Sequence, residues 1–390
     1  MSQAVILHSL RSPIGKFQGA LAPLAAPDLA AQVVKALLAA VPGGVPTEAI
    51  FGNVVGAGVG QAPARQAALR SGLPASVSAL TINKVCGSGL KAIQLAANAV
   101  RLGDHEVVVA GGMESMSNAP YLLPALRTGA RMGHTEAKDA MILDGLWCAI
   151  TDQHMGHTGE LVAAKYGIGR EAQDAWAAES HRKAVAAMQS GAFQAELVPI
   201  AVPGRKGDLI VSEDEGPRAD STPESLAKLR PVFRKDGTVT AGNAPSVNDG
   251  AAAVLVSTEY YARTHDLPIQ ARILGTATAG LDPEWVLMAP VEAIRKLLAQ
   301  VGWAVADVDL WEINEAFAVQ LVATVAELKL PTDRINVHGG AVALGHPIGA
   351  SGARVMATLL HALTRLDKQR GIAALCLGGG NAIAMAVERV

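Results

Sequence analysis

The sequence predicts an α/β protein made from two copies of one plan, with a long segment of different composition set into the first copy. Three observations carry that expectation. Short β-branched runs at 5–7, 49–55 and 106–110 alternate with Ala/Leu-rich stretches at 29–40 and 90–101, the order of a layered α/β unit. The same alternation returns from about residue 270 to the end. Each half also contains a glycine-bracketed turn that opens a helix, Val85-Cys86-Gly87-Ser88-Gly89-Leu90 and Ile348-Gly349-Ala350-Ser351-Gly352-Ala353. In each, a later apolar strand ends in glycines, at Gly111-Gly112 and at Gly378-Gly379-Gly380.

The alternating start from Gln3 to Leu10 reads as a first strand, because a signal peptide needs a basic stretch followed by a longer apolar one. Beyond the first unit, 118–247 turns Pro-, Gly-, His- and charge-rich with few long strands, the character of an insert that covers a site or carries specificity. Residues 249–257 return the chain to the first unit. The second half then predicts helices at 291–301, 317–329 and 353–364 and strands at 310–313 and 373–377. The low-charge run 371–387 is broken by Gly378-Gly379-Gly380-Asn381, so it reads as two strands and a turn rather than a membrane-spanning helix. The expected division is 1–117 plus 248–269, the insert 118–247, and 270–390.

Composition narrows the function classes. Thirty-three Lys and Arg against 35 Asp and Glu give a formal charge of −2, which supplies no bulk basic field for nucleic acid or an anionic membrane. A polyanionic ligand must be met by local groups. Half of the residues are apolar and 40 are glycine, which excludes a disordered chain. Three cysteines without a C-x-x-C pair argue against a disulfide framework or a thiolate metal site, and no metal is expected. With no targeting tripeptide at Glu388-Arg389-Val390, the expected location is the cytoplasm.

The chemistry-bearing residues stand in backbone-special sequence. Cys86 lies where a strand turns into a helix, so helix-terminal N–H groups should lower its thiol pKa and offer donors to a developing oxyanion. Cys376 ends a strand just before Gly378-Gly379-Gly380, whose N–H groups a ligand can approach. Cys148 has no such turn and reads as packing. His346, between Gly345 and Pro347, can act as base for a neighbouring thiol. Asn314, with Glu315, closes a strand before a helix, where it either caps or positions a water or an oxyanion. Gly56-Ala-Gly58-Val-Gly60 lacks the final glycine of a dinucleotide loop, Gln61 standing there, and Asp152, His154 and His157 form no convincing metal set.

Taken together, Cys86 in Asn-Lys-Val-Cys-Gly-Ser-Gly-Leu, Asn314 in Asn-Glu-Ala-Phe-Ala, His346 in Gly-His-Pro-Ile-Gly-Ala-Ser-Gly-Ala-Arg and Cys376 in Cys-Leu-Gly-Gly-Gly resemble the motifs of the thiolases in order and spacing. The resemblance runs the whole length, through Arg11-Ser-Pro-Ile-Gly-Lys-Phe, Gly111-Gly-Met-Glu-Ser-Met-Ser, Gly204-Arg-Lys-Gly-Asp and Leu229-Arg-Pro-Val-Phe. It implies a five-layered αβαβα fold of two duplicated halves with an inserted loop domain for coenzyme A binding and tetramerisation. It implies a homotetramer, a dimer of dimers, or a dimer. No cofactor is held permanently, and coenzyme A and acyl-CoA come as substrates.

The resemblance also implies roles. Cys86 takes the acyl group as a thioester after activation by His346, and Cys376 moves the α-proton of the second acyl-CoA. His346 with a water on Asn314 stabilises the enolate, and the N–H groups of Cys86 and Gly378 the other oxyanion. Arg218 would meet the nucleotide end, while Leu146, His154, Met155, Phe233 and Phe317 border the pantetheine and acyl group. Gly-His-Pro-Ile-Gly, the triple glycine and the continuous 122–132 segment resemble the short-chain type, which converts two acetyl-CoA into acetoacetyl-CoA. The alternatives are a degradative thiolase for longer or dicarboxylic 3-oxoacyl-CoA, and an acyl-CoA binding protein without turnover. Decarboxylating ketoacyl synthases carry a histidine where Asn314 stands. Two departures from the short-chain pattern are Asn381 and Pro245-Ser246, which stand in place of Ser-Gly; the latter shifts the family's serine contact to Ser246 or removes it.

Overall fold

The computed structural model describes residues 2–390. Nine strands carry the main sheet: β1 (Ala4–Arg11), β2 (Glu48–Gly52), β3 (Ser78–Ile82), β4 (Val107–Ser115), β5 (Asn248–Thr258), β6 (Ala271–Gly280), β7 (Leu310–Ile313), β8 (Arg370–Leu377) and β9 (Asn381–Arg389). They lie in the order β7-β8-β9-β6-β1-β5-β4-β2-β3, with the short strand Gly15–Lys16 paired to β5. Outward from β1 the neighbours are β5, β4 and β2; outward from β6 they are β9, β8 and β7. In both series the pairings are antiparallel, antiparallel, then parallel. The two halves of the sheet therefore repeat one topology. They meet where β1 and β6 pair antiparallel, with Val5 opposite Arg272 and Ile6 opposite Ala271.

Eight longer helices accompany the strands: α1 (Ala26–Ala40), α2 (Pro63–Arg70), α3 (Ser88–Leu102), α4 (Met155–Tyr166), α5 (Arg170–Gln189), α6 (Ala289–Val301), α7 (Ala318–Leu328) and α8 (Ile348–Arg365). The period-two alternation of the strands sorts their side chains into layers. Val5, Leu7, Phe51 and Val109 face α1 and α2, whereas Ala4, Ile6, Ile50 and Val108 face α3 and α8. In the second half Leu375 and Met385 face α3 and α8, while Ile372 and Ala386 face α6 and α7. The result is five layers, αβαβα. Helix α8 sits in the middle of them and is buried at every position from Ile348 to Leu360, as a helix with protein on all sides must be.

The central helices approach backbone to backbone. A Cβ on Gly352 would lie 2.3 Å from the Leu90 nitrogen, and one on Gly89 would lie 2.6 Å from the Ala353 nitrogen. The duplicated glycines are thus contact points of one helix on its counterpart. This explains a difference from the sequence expectation: α8 begins at Ile348 rather than 353, so Gly349 and Gly352 belong to its first turns instead of preceding it. Likewise β4 runs through Gly111 and Gly112 to Ser115, because a Cβ on either would strike a carbonyl, of Ala252 or of Gly349. Strand β6 and helix α2 had no counterpart in the sequence reading, and the insert carries two helices, α4 and α5, besides its loops. No described helix is long and apolar enough to cross a membrane.

Candidate active site

The turn between β3 and α3 is pinned by side chains. Asn83 Oδ1 accepts the Val85 N–H at 2.9 Å, and Ser88 Oγ accepts the Lys84 N–H at 2.8 Å while donating to the Val85 carbonyl at 2.6 Å. These bonds hold Val85 at φ +47, a left-handed conformation costly for a β-branched residue. The strain lifts Cys86 out of the strand line and into the space beneath β8. Gly87 completes the approach, since a Cβ there would lie 2.1 Å from Leu377 Cδ2.

The backbone N–H groups of Gly378 and of Cys86 itself lie close enough to Sγ to act on its charge. Both donors favour the thiolate, yet burial outweighs them and pushes the thiol up to about 11. The sequence-based expectation of a lowered pKa is thereby reversed: Cys86 rests as a thiol and needs a base. Cys376, buried at the end of β8, is pushed well above the usual thiol range, first by burial and then by the neighbouring Cys86.

His346 lines the same cavity as both thiols. Its Nδ1 lies 2.6 Å from Ser351 Oγ, and Ser351 spends its single hydroxyl proton on the Pro347 carbonyl at 2.9 Å. With that proton on the Pro347 carbonyl, Ser351 accepts from His346 Nδ1–H, the tautomer that leaves the Nε2 lone pair free. Nε2 is buried without a protein partner. Burial, followed by the charge of Arg354, depresses the imidazole to about 3, so it stands neutral. Asn314 directly follows β7, fully buried; its N–H donates to the Ala374 carbonyl at 2.9 Å, while neither Oδ1 nor Nδ2 meets a protein group. A buried amide of this kind is completed by water or ligand.

A cavity of about 210 Å³ brings Cys86, His346, Cys376 and Gly378 together with Leu146, His154, Met155, Phe233, Ser246 and Phe317. Two expected residues are not part of its wall. Asn314 is enclosed in the protein, and Arg218 lies on a separate surface depression beside Arg182 and Thr222, its N–H donating to His181 Nδ1 at 3.1 Å. The residues weighed for a metal serve other ends. His154 stacks on Phe233 at 4.9 Å and caps α4 by accepting the Gly156 N–H, and Asp152 accepts the Trp147 indole N–H. Ser246 Oγ donates to Asn248 Oδ1 at 2.9 Å.

Sequence reasoning missed Met116, Ile348, Val286 and Leu287, which close the apolar wall. The first two stand within motifs already singled out. Val286 and Leu287 carry no local signal and arrive from the 3₁₀ turn Pro283–Met288. It also missed Glu114, whose buried carboxylate accepts the N–H groups of Val54, Val55 and Gly349 and the Asn53 amide, tying β4 and the loop after β2 to the first turn of α8.

The family described as Thiolase, N-terminal domain matches residues 4–260, and Thiolase, C-terminal domain matches 267–389. The chain is 54% identical over 392 residues to an acetyl-CoA acetyltransferase of Pseudomonas aeruginosa and 51% identical over 392 residues to one of Cupriavidus necator, each comparison covering the whole of both chains. It is similar in structure to the crystal structure of the Bacillus anthracis acetyl-CoA acetyltransferase, with a TM-score of 0.97 and 44% identity, covering 100% of this chain and 99% of that one.

Proposed function

The chain belongs to the thiolase family, and from that premise we propose that it is an acetyl-CoA C-acetyltransferase, joining two acetyl-CoA into acetoacetyl-CoA and coenzyme A, or cleaving in reverse. The observation that carries this reading is one cavity in which two thiols, a free imidazole Nε2 and the Gly378 N–H converge.

In the cleavage direction His346 Nε2 takes the Cys86 proton and Sγ adds to the 3-oxo carbon of acetoacetyl-CoA. The N–H groups of Cys86 and Gly378 hold the resulting oxyanion. The bond between C2 and C3 then breaks, and its electron pair becomes the enolate of acetyl-CoA, held by His346 and a water on Asn314. Cys376 gives its proton to C2. Incoming coenzyme A returns a proton to Cys376, its thiolate takes the acetyl group from Cys86, and the protonated His346 restores the Cys86 thiol. Condensation is the same sequence reversed. A thiol held far above the usual range stays protonated until C2 needs its proton, and a neutral His346 keeps a lone pair with which to accept one.

The halves 1–117 plus 248–269 and 270–390 supply the chemistry, and 118–247 supplies carrier binding, with Leu146, His154, Met155 and Phe233, joined by Phe317 of the second half, around the pantetheine and Arg218 toward the nucleotide end. We assign the insert a second task, tetramerisation as a dimer of dimers. Met132 at 97%, Ile150 at 70% and Tyr121 at 68% exposure support it. The cytoplasm suits three free thiols.

The deciding experiment is intact mass after mixing with acetyl-CoA, followed by thiolysis assays across 3-oxoacyl-CoA chain lengths. One acetyl adduct on Cys86, with kcat/KM highest for acetoacetyl-CoA, is expected. An adduct with a maximum at longer chains would move the assignment to the degradative type, and absence of any adduct would refute acyl transfer.

A further inference from the structure

We propose that Asn248 is a positioning residue for His346, and that Ser246 serves this relay instead of contacting the carrier's pantetheine arm. The proposal rests on the reading of His346 as base. Asn248 opens β5 and is fully buried. Its Oδ1 accepts two hydrogen bonds, from the His346 backbone N–H at 2.8 Å and from Ser246 Oγ at 2.9 Å, and its Nδ2 donates to the Gly15 carbonyl at 2.9 Å. One donor-only and one acceptor-only backbone partner fix the orientation of the amide.

Gly345 records the same arrangement from the other side. It holds φ +108, and a Cβ there would fall 2.4 Å from Asn248 Cγ, so the loop that bears His346 lies flat against this amide. The backbone of His346 is therefore anchored to a sheet strand through a single side chain, while its ring is anchored separately through Ser351. Ser246 joins the cavity wall to this anchor. With its hydroxyl proton committed to Asn248, it has none to offer the amides of a pantetheine arm. Pro245, which also lines the cavity and lacks an N–H, offers none either.

The test uses alkylation of Cys86 by iodoacetamide at fixed pH, a reagent with no pantetheine arm, alongside steady-state thiolysis of acetoacetyl-CoA by the full-length protein. Ser246→Ala removes one hydrogen bond from the anchor; it should slow alkylation about threefold and lower kcat to match, with the KM for the carrier unchanged. Asn248→Ala should slow alkylation by about tenfold or more through misplacement of the base. A raised KM in Ser246→Ala with unchanged alkylation would make Ser246 a carrier contact and overturn the relay. His346→Gln separates the two readings. If it slows alkylation and the Asn248 and Ser246 variants do not, the relay alone falls; if it does not slow alkylation, the base assignment falls and takes the relay with it. Should Asn248→Ala fold poorly, Ser246→Ala, at an exposed position, decides the matter.

Discussion

The two thiols of the cavity differ in depth and in surroundings: Cys86 is half-buried and Cys376 buried. The nearby Gly378 N–H favours the Cys86 thiolate, whereas Cys376 has the unfavourable neighbourhood of Cys86. The first is therefore the easier to ionise and the second the firmer holder of a proton, which divides nucleophile from acid. Cys86→Ser should give no acetyl adduct in an intact-mass measurement, because an alcohol near a neutral imidazole is a far poorer nucleophile than a thiol; an adduct of one acetyl group in that variant would remove the nucleophile assignment. Cys376→Ala should still take up one acetyl group from acetyl-CoA, yet lose about 10³-fold in thiolysis of acetoacetyl-CoA, the usual worth of a positioned acid. Equal loss of both steps would refute the division. Cys86, His346 and Cys376 were singled out because each stands in glycine- or proline-marked sequence, and Asn314 because it closes a strand with a polar group before a helix. Asn248 was not: it opens an ordinary strand, and its partner His346 lies 98 residues away.

Among the elements, short apolar runs and Ala/Leu-rich stretches were the most legible, and α5, which buries polar groups, was not. Helix α5 turns Gln173, Asp174, Ser180 and His181 inward together with alanines, so no apolar stripe announces it. Strand β7 was legible to the residue although it buries Glu312, since Leu310, Trp311 and Ile313 form a short apolar run between Asp309 and Asn314. Strand β4 carries Glu114 inward as well, and that carboxyl is pushed up to about 7 by burial against the pull of the four N–H donors it accepts. A raised pKa means that the folded state holds the proton more tightly than the unfolded state. Its stabilising contribution is complete below the unfolded value near 4.5 and declines as pH rises through about 7. Glu114→Gln, which keeps the volume but turns an NH₂ toward these donors, should destabilise most in acid. Its cost relative to the natural residue should shrink by about 3 kcal/mol between about pH 4.5 and pH 8. Urea denaturation of both proteins across that range measures it, and a cost independent of pH would show that Glu114 is ionised in both states.

At the scale of the whole molecule, the duplication accounts for where the chemistry is. Helices α3 and α8 occupy equivalent places in the two halves and cross at Gly89 and Gly352. Cys86 lies just before the first and His346 just before the second, so one copy supplies the proposed nucleophile and the other the proposed base and, through β8, the second thiol. The distance between nucleophile and base is consequently set by the helix crossing, and the crossing by two absent side chains. Gly352→Ala tests this. Its methyl would meet the Leu90 nitrogen at 2.3 Å, a backbone atom that cannot rotate away, so the helices must part. Overpacking of this type costs about 1–3 kcal/mol, and displacement of a base by about 1 Å costs about 10²-fold in rate. Loss of activity should therefore exceed what the fraction of unfolded protein explains: at a temperature where the variant remains fully folded by circular dichroism, acetylation of Cys86 should be slowed by about two orders of magnitude. A variant that is less stable but acetylates at the natural rate would show that the cavity holds its geometry independently of the helix crossing.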